Sequence, residues 1–142
     1  MSIQWLREAL PGSTAITATD LNEAMLDVAR SRRGDLEQVS FEQADALNLP
    51  FADKTFDAVV CQSGLMFYPD KPAGLSEAVR VLKPGGQFIF NVRDSIERNP
   101  IIQLVLDVLP PYFDGKPSRF RAVPFGFHAI DPIREMLHNA GF

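Results

Sequence analysis

Three short runs rich in apolar and β-branched residues, Thr14 to Thr19, Val39 to Ala44 and Phe56 to Cys61, are each followed at once by side chains able to hold a polar ligand. These are Asp20, Asp45, and Gln62 with Ser63. If the runs are parallel strands, chemistry belongs at those positions, because open parallel sheets bind ligands outside the carboxyl ends of their strands. A carboxylate at the end of the second strand of a nucleotide-binding half has the reach to accept hydrogen bonds from both ribose hydroxyls. Asp20 is the strongest candidate for that role. The competing reading makes it a helix N-cap or loop acid beside the helix that starts near Asn22. Asp45 could accept from the exocyclic amine of a purine, with the backbone N–H groups of Ala46 and Leu47 offered to ring nitrogens. An ordinary loop acid accounts for Asp45 equally well.

Other residues with reactive side chains carry less. Cys61 lies inside a run that reads as a buried strand, with no helix N-terminus or basic partner to lower its pKa, so an inert core thiol is expected rather than a nucleophile. His128 could act as a base on the substrate side, but a loop histidine satisfied by its neighbours is the plainer reading, and His138 reads as helix surface. Phe120, Phe125 and Phe127, interleaved with Arg119 and Arg121, suit a lid over an apolar acceptor, a stack on a base, or ordinary packing of a loop on a sheet. Arg30, Arg32 and Arg33 fall in the last turn of a helix, where cations meet the negative end of its dipole, and read as a solvated helix end.

The elements that must position these residues alternate between period 2 and period 3.6, the pattern of repeated strand–helix units feeding a mainly parallel sheet. Ile3, Leu6 and Leu10 share one face of a short helix stopped by Pro11-Gly12. Asn22 caps a helix expected to turn Met25, Leu26 and Ala29 inward and to end at Gly34. Phe56 to Cys61 is nearly continuous in apolar residues, as expected of a strand covered on both faces. Asp70 caps a helix with Pro72 in its first turn and Leu75, Ala78, Val79 and Leu82 on its inner face. Lys83-Pro84-Gly85-Gly86 suits a type II turn leading into a strand from Gln87 to Val92. Beyond Arg93 a helix is expected over Pro100 to Leu109, then an irregular Pro110 to Gly126, and a last helix starting at Asp131-Pro132 and ending at Gly141. The expected fold class is α/β, with residues 1–142 as one domain: 1–92 a cofactor-binding core, 93–142 a substrate-side segment and last helix.

Composition agrees with a single globular domain: 142 residues, 46% hydrophobic and 23% charged. A net charge of −4, from 18 acidic and 14 basic residues, gives no general attraction to nucleic acid or to anionic membranes. One cysteine and two histidines leave no disulfide framework and no zinc cluster, so no metal is expected. No apolar run reaches the roughly 20 residues of a membrane span, and Met1 to Leu10 lacks a signal-peptide core, which makes a cytoplasmic protein the default.

Four runs together resemble a known family: "TATDLNEAMLDVAR" from Thr17, "QADALNLPF" from Gln43, "FDAVVCQSGLMFYPD" from Phe56 and "EAVRVLKPGGQFIF" from Glu77. In this order and spacing they resemble the class I S-adenosylmethionine-dependent methyltransferases, in the type 11 branch that contains the ubiquinone and menaquinone biosynthesis enzymes. The resemblance implies a Rossmann-like, doubly wound sheet and S-adenosylmethionine as cofactor. It implies that Asp20 binds the ribose with Leu21 beside the adenine, that Asp45 and Ala46 hold the adenine edge, and that Gln62 and Ser63 lie near the methionine moiety and the methyl group. The reaction implied for the complete form of the domain is methyl transfer to a small-molecule acceptor, and no residue stands out as a general base.

The pattern is incomplete at both ends. The family's first strand and its acidic, glycine-rich loop should precede the Ile3 helix, yet Gly12 is the only glycine before Gly34, and the closing antiparallel strands should follow Phe142. The first strand belongs between the strands ending at Asp20 and at Gln62. Without it those two must pair directly, splay, or recruit a strand from another copy, so open sheet edges and a homo-oligomer are expected. Two rivals follow: the same fold without catalysis, as an inactive remnant or interaction module, and a fragment of an NAD-dependent oxidoreductase, whose ribose Asp20 would also suit.

Overall fold

In the computed structural model, which describes residues 2–108 and 123–142, the chain divides into two compact units, Met1–Pro50 and Phe51–Phe142. In the first unit, α1 (Ser2–Ala9) precedes β1 (Ile16–Asp20), α2 (Glu23–Arg33) and β2 (Val39–Gln43). The Arg7 side chain donates to the carbonyls of Leu10, Pro11 and Thr14, tying α1 to the turn that leads into β1. The Thr14 N–H is taken by Pro11 O in a turn, so β1 starts at Ile16 rather than Thr14 and includes Asp20 as its last residue.

β1 and β2 pair in parallel from Ile16 opposite Val39 to Asp20 opposite Gln43, with α2 as the crossover. Asn22 caps α2 through its side chain, which accepts from Ala24 N–H at 3.0 Å. Gly34 ends the helix in a right-handed conformation, its N–H on Arg30 O. Arg30 is held by Glu23 and Asp27 and donates to Phe41 O, fastening the helix to β2, and the Glu23 hydrogen bond chiefly raises its pKa. Only Leu26 of the expected inner face is buried; Met25 is 57% exposed. The reason is width: two strands about 5 Å apart form a strip narrower than a helix about 10 Å across, so one row of side chains is covered.

The second unit repeats the plan with β3 (Phe56–Gln62), α3 (Lys71–Val81) and β4 (Leu82–Asn91), the strands again parallel. Asp70 caps α3, accepting from Ala73 N–H at 2.9 Å. Arg80 grips both Glu77 oxygens at 2.7 Å and reaches Phe51 O and Asp53, tying the chain before β3 to the helix. The core forms from Leu65, Met66, Leu75, Ala78, Val81 and Leu82, all buried. On one face of β4, Phe88 stacks on Phe90 and on Phe142, each at 5.2 Å between ring centres.

β4 begins earlier than Gln87. Leu82 already pairs with Phe56, and the expected turn at Lys83 to Gly86 is a bulge inside the strand, after which Gln87 pairs with Ala58. Gly85 has φ of +79°, the value the third residue of a type II turn needs. The expectation that β3 is covered on both faces fails: Val60 is 45% exposed and Ile89, its partner across the ladder, 51%. Among the described residues each unit has a sheet of two strands, so each strand has one paired edge.

α4 (Pro100–Val108) and α5 (Ile130–Ala140) follow, α5 starting one residue before Asp131. Gly141 closes α5 at φ +102°, and Phe142 N–H returns to Leu137 O. Leu109 and residues 110–122, including Arg119, Phe120 and Arg121, lie outside the described residues.

Candidate functional site

The six candidate residues fall into two groups, one at the carboxyl end of each parallel strand pair. In the first unit, Asp20 faces Gln43 across the ladder, Ala44 N–H donates to Asp20 O at 3.1 Å, and Gln43 Nε2 donates to Leu21 O at 2.9 Å. These bonds set the residues after β1 beside those after β2, so Asp20, Leu21, Asp45 and Ala46 share one strand-end ridge.

Both acids already have a local task. Asp20 Oδ1 accepts the Asn22 N–H at 2.8 Å, fixing the turn into α2, and Asp45 Oδ1 accepts the Leu47 N–H at 2.9 Å. The Leu47 N–H is therefore spent within its own turn and is not available to a purine nitrogen, which corrects that part of the sequence reading. Each carboxylate has a second oxygen, and both acids are exposed. Leu21 is 65% exposed, an apolar surface next to a carboxylate.

In the second unit, Gln62 ends β3 opposite Asn91 at the end of β4. Ser63 follows with φ of +53°, a left-handed conformation uncommon outside glycine. Its N–H donates to Asn91 Oδ1 at 2.8 Å, and Asn91 Nδ2 donates to Ser63 Oγ at 3.3 Å. Sequence reasoning missed Asn91 because the strand was expected to run through Val92, which left Asn91 inside it. β4 ends at Asn91, which puts that residue at a strand carboxyl end like the other candidates.

The remaining candidates take structural positions. Cys61 is half-buried with Sγ 3.4 Å from Tyr68 Oη, and a Cβ at Gly64 would stand 3.0 Å from that sulfur. His128 Nδ1 lies 2.8 Å from Phe125 O; a carbonyl only accepts, so Nδ1 carries the proton in the neutral ring. Phe125 is buried under the Arg93 guanidinium, and Lys71 Nζ lies 5.1 Å above the Phe127 ring, so these two aromatics pack against cations of their own unit. His138 is exposed in the last turn of α5. The Glu97 carboxyl is held below the ordinary carboxylate range, first by the Ser95 hydroxyl, then by its own backbone and by His128.

Parallel strand–helix units make this an α/β protein, and its likeness to proteins of known structure and sequence places it among the class I methyltransferases. A protein of known structure from Bacillus halodurans superposes with a TM-score of 0.67 at 28% identity, over 91% of this chain and 53% of that one. An S-adenosylmethionine-dependent methyltransferase from Mesorhizobium loti superposes with a TM-score of 0.55 at 27% identity, over 63% of this chain and 40% of that one. The chain belongs to the type 11 methyltransferase domain family, whose pattern matches residues 2–90. Among curated relatives it is 34% identical over 140 residues to the ubiquinone/menaquinone biosynthesis C-methyltransferase of Haemophilus ducreyi, covering 89% of this chain and 54% of that protein. The chain thus spans about half the length of the curated relatives it matches. Among the described residues no helix is long and apolar enough to cross a membrane.

Proposed function

We propose that this domain serves methyl transfer from S-adenosylmethionine to a small organic acceptor. The observation that carries the reading is the ridge at the ends of β1 and β2, where two exposed carboxylates, Asp20 at the end of β1 and Asp45 in the turn after β2, each commit one oxygen to a turn and, among the described residues, leave the other for a ligand. That donor and acceptor set suits a nucleoside. The spare Asp20 oxygen accepts from a ribose hydroxyl, Leu21 packs against the adenine, and Asp45 with the Ala46 N–H reads its polar edge. Gln62 and Ser63 serve the methionine end.

When bound, the cofactor supplies an electrophilic methyl group on a sulfonium. The chain's own contribution is then positioning, because an in-line displacement needs its partners held close and aligned more than it needs acid or base. The name of the Haemophilus ducreyi relative makes precursors of ubiquinone and menaquinone the first acceptors to try.

A thermal-shift comparison of S-adenosylhomocysteine with NAD tests the reading, since only a ligand that binds the folded chain raises the midpoint. A rise with S-adenosylhomocysteine alone is expected. A rise with NAD alone would assign the ridge to an oxidoreductase, and no rise with either would leave the fold without the proposed activity.

A further inference from the structure

Ser63 holds a left-handed backbone conformation that its side chain disfavours, and such strain persists only where the surroundings impose it. Both of its side-chain-mediated hydrogen bonds among the described residues are made with one residue. Asn91 receives the Ser63 N–H on Oδ1 and offers Nδ2 to Ser63 Oγ. The amide cannot be turned round, because a backbone N–H must face an acceptor and an NH2 group is none. Nδ2 therefore faces the serine oxygen, which accepts with a lone pair and keeps its O–H to donate. Among the described residues that O–H has no acceptor, and Ser63 is only half-buried.

We propose that Asn91 is a positioning residue that holds Ser63 as an outward hydrogen-bond donor for an anionic oxygen of the ligand, the carboxylate at the amino-acid end of the cofactor. This rests on the proposed methyltransferase reading for the identity of the ligand, but the part played by Asn91 does not. A backbone N–H already spent on Asn91 cannot bind the ligand, so of the two donors of Ser63 the hydroxyl is the one left to meet an anionic oxygen. The pairing of Gln62 with Asn91 across the ladder makes the arrangement a property of the β3 and β4 register. A slip by one residue would put Phe90 or Val92 there, and neither side chain can accept the N–H.

The test has two arms on the full chain. In the first, amide hydrogen exchange is followed by NMR without ligand. Asn91→Leu is expected to speed exchange at Ser63 roughly five- to tenfold, the loss of one modest hydrogen bond, with Val60 and Cys61 in β3 unchanged. Asn91→Asp keeps an acceptor for that N–H and is expected to retain protection, which also covers the case in which the leucine variant does not fold. Unchanged exchange at Ser63 in Asn91→Leu, or lost protection in a folded Asn91→Asp, overturns the positioning role. In the second arm, calorimetry with S-adenosylhomocysteine and with methylthioadenosine, which lacks the amino-acid end, is run on Ser63→Ala. The first ligand is expected to weaken about tenfold and the second to stay within about twofold. Equal effects on both ligands, or none on either, overturn the donor assignment. Absence of binding of either ligand to the unmodified chain would instead refute the methyltransferase reading, a result the exchange arm does not share.

Discussion

Replacing Asp20 in two ways separates its structural task from the proposed ligand contact. Oδ1 accepts the Asn22 N–H at 2.8 Å and holds the turn into α2, and the other oxygen is assigned to a ribose hydroxyl. In Asp20→Asn the amide oxygen must face Asn22 N–H, because the NH2 group cannot accept, so the turn survives and the position facing the ligand changes from a charged acceptor to a neutral donor. In Asp20→Ala both are lost. A hydrogen bond to a charged partner contributes about 1.5 to 3 kcal/mol, so both variants should bind S-adenosylhomocysteine roughly 10- to 150-fold more weakly. Stability should divide them. The asparagine variant should stay within about 0.5 kcal/mol of the parent while the alanine variant loses about 1 kcal/mol, the net value of one ordinary hydrogen bond. Calorimetry and urea denaturation with a common slope measure the two quantities. Parental affinity in Asp20→Asn would refute the ribose assignment, and equal loss of stability in the two variants would refute the account of the turn.

The β4 bulge should respond differently at its two glycines. Gly85→Ala has open space for its Cβ and pays only for φ of +79°, about 1 to 2 kcal/mol, whereas at Gly86 the Cβ would stand 2.9 Å from Lys83 O and 3.1 Å from Asp57 O, so backbone must shift and the loss should be larger. Equal urea midpoints for the two variants would contradict this. Because the Glu97 pKa is lowered in the folded chain, its contribution to stability is present above the ordinary carboxylate value and fades as pH falls through the lowered one; Ser95→Ala should raise the pKa read by carbon NMR, and no change would remove Ser95 as the cause. Two sheets of two strands, with Val60 and Ile89 exposed, should make the isolated chain self-associate, and a sharp monomer by light scattering with cooperative unfolding would show that the open edges are harmless.

Much of this molecule is local and therefore written in the sequence. Asn22 and Asp70 cap their helices because a short polar side chain can reach an N–H two or three residues on, and Gly141 ends α5 because it alone adopts the left-handed turn without strain. The strand–helix alternation was legible from periodicity, and so were the strand ends to within one residue, at Asp20 where Thr19 was expected, Gln43 where Ala44 was expected and Gln62 where Cys61 was expected. What tertiary structure decided depends on residues far apart in the chain. Periodicity places Met25 and Val60 on apolar faces but cannot say whether a neighbour arrives to cover them, and in the two-stranded sheets of the described residues both stay exposed. Leu82 joins β4 before the bulge because Phe56 lies ready to pair with it. Asn91 becomes part of the candidate site only when a parallel ladder sets it opposite Gln62, twenty-nine positions earlier in the chain, since hydrogen bonding between strands depends on register and no local pattern encodes it.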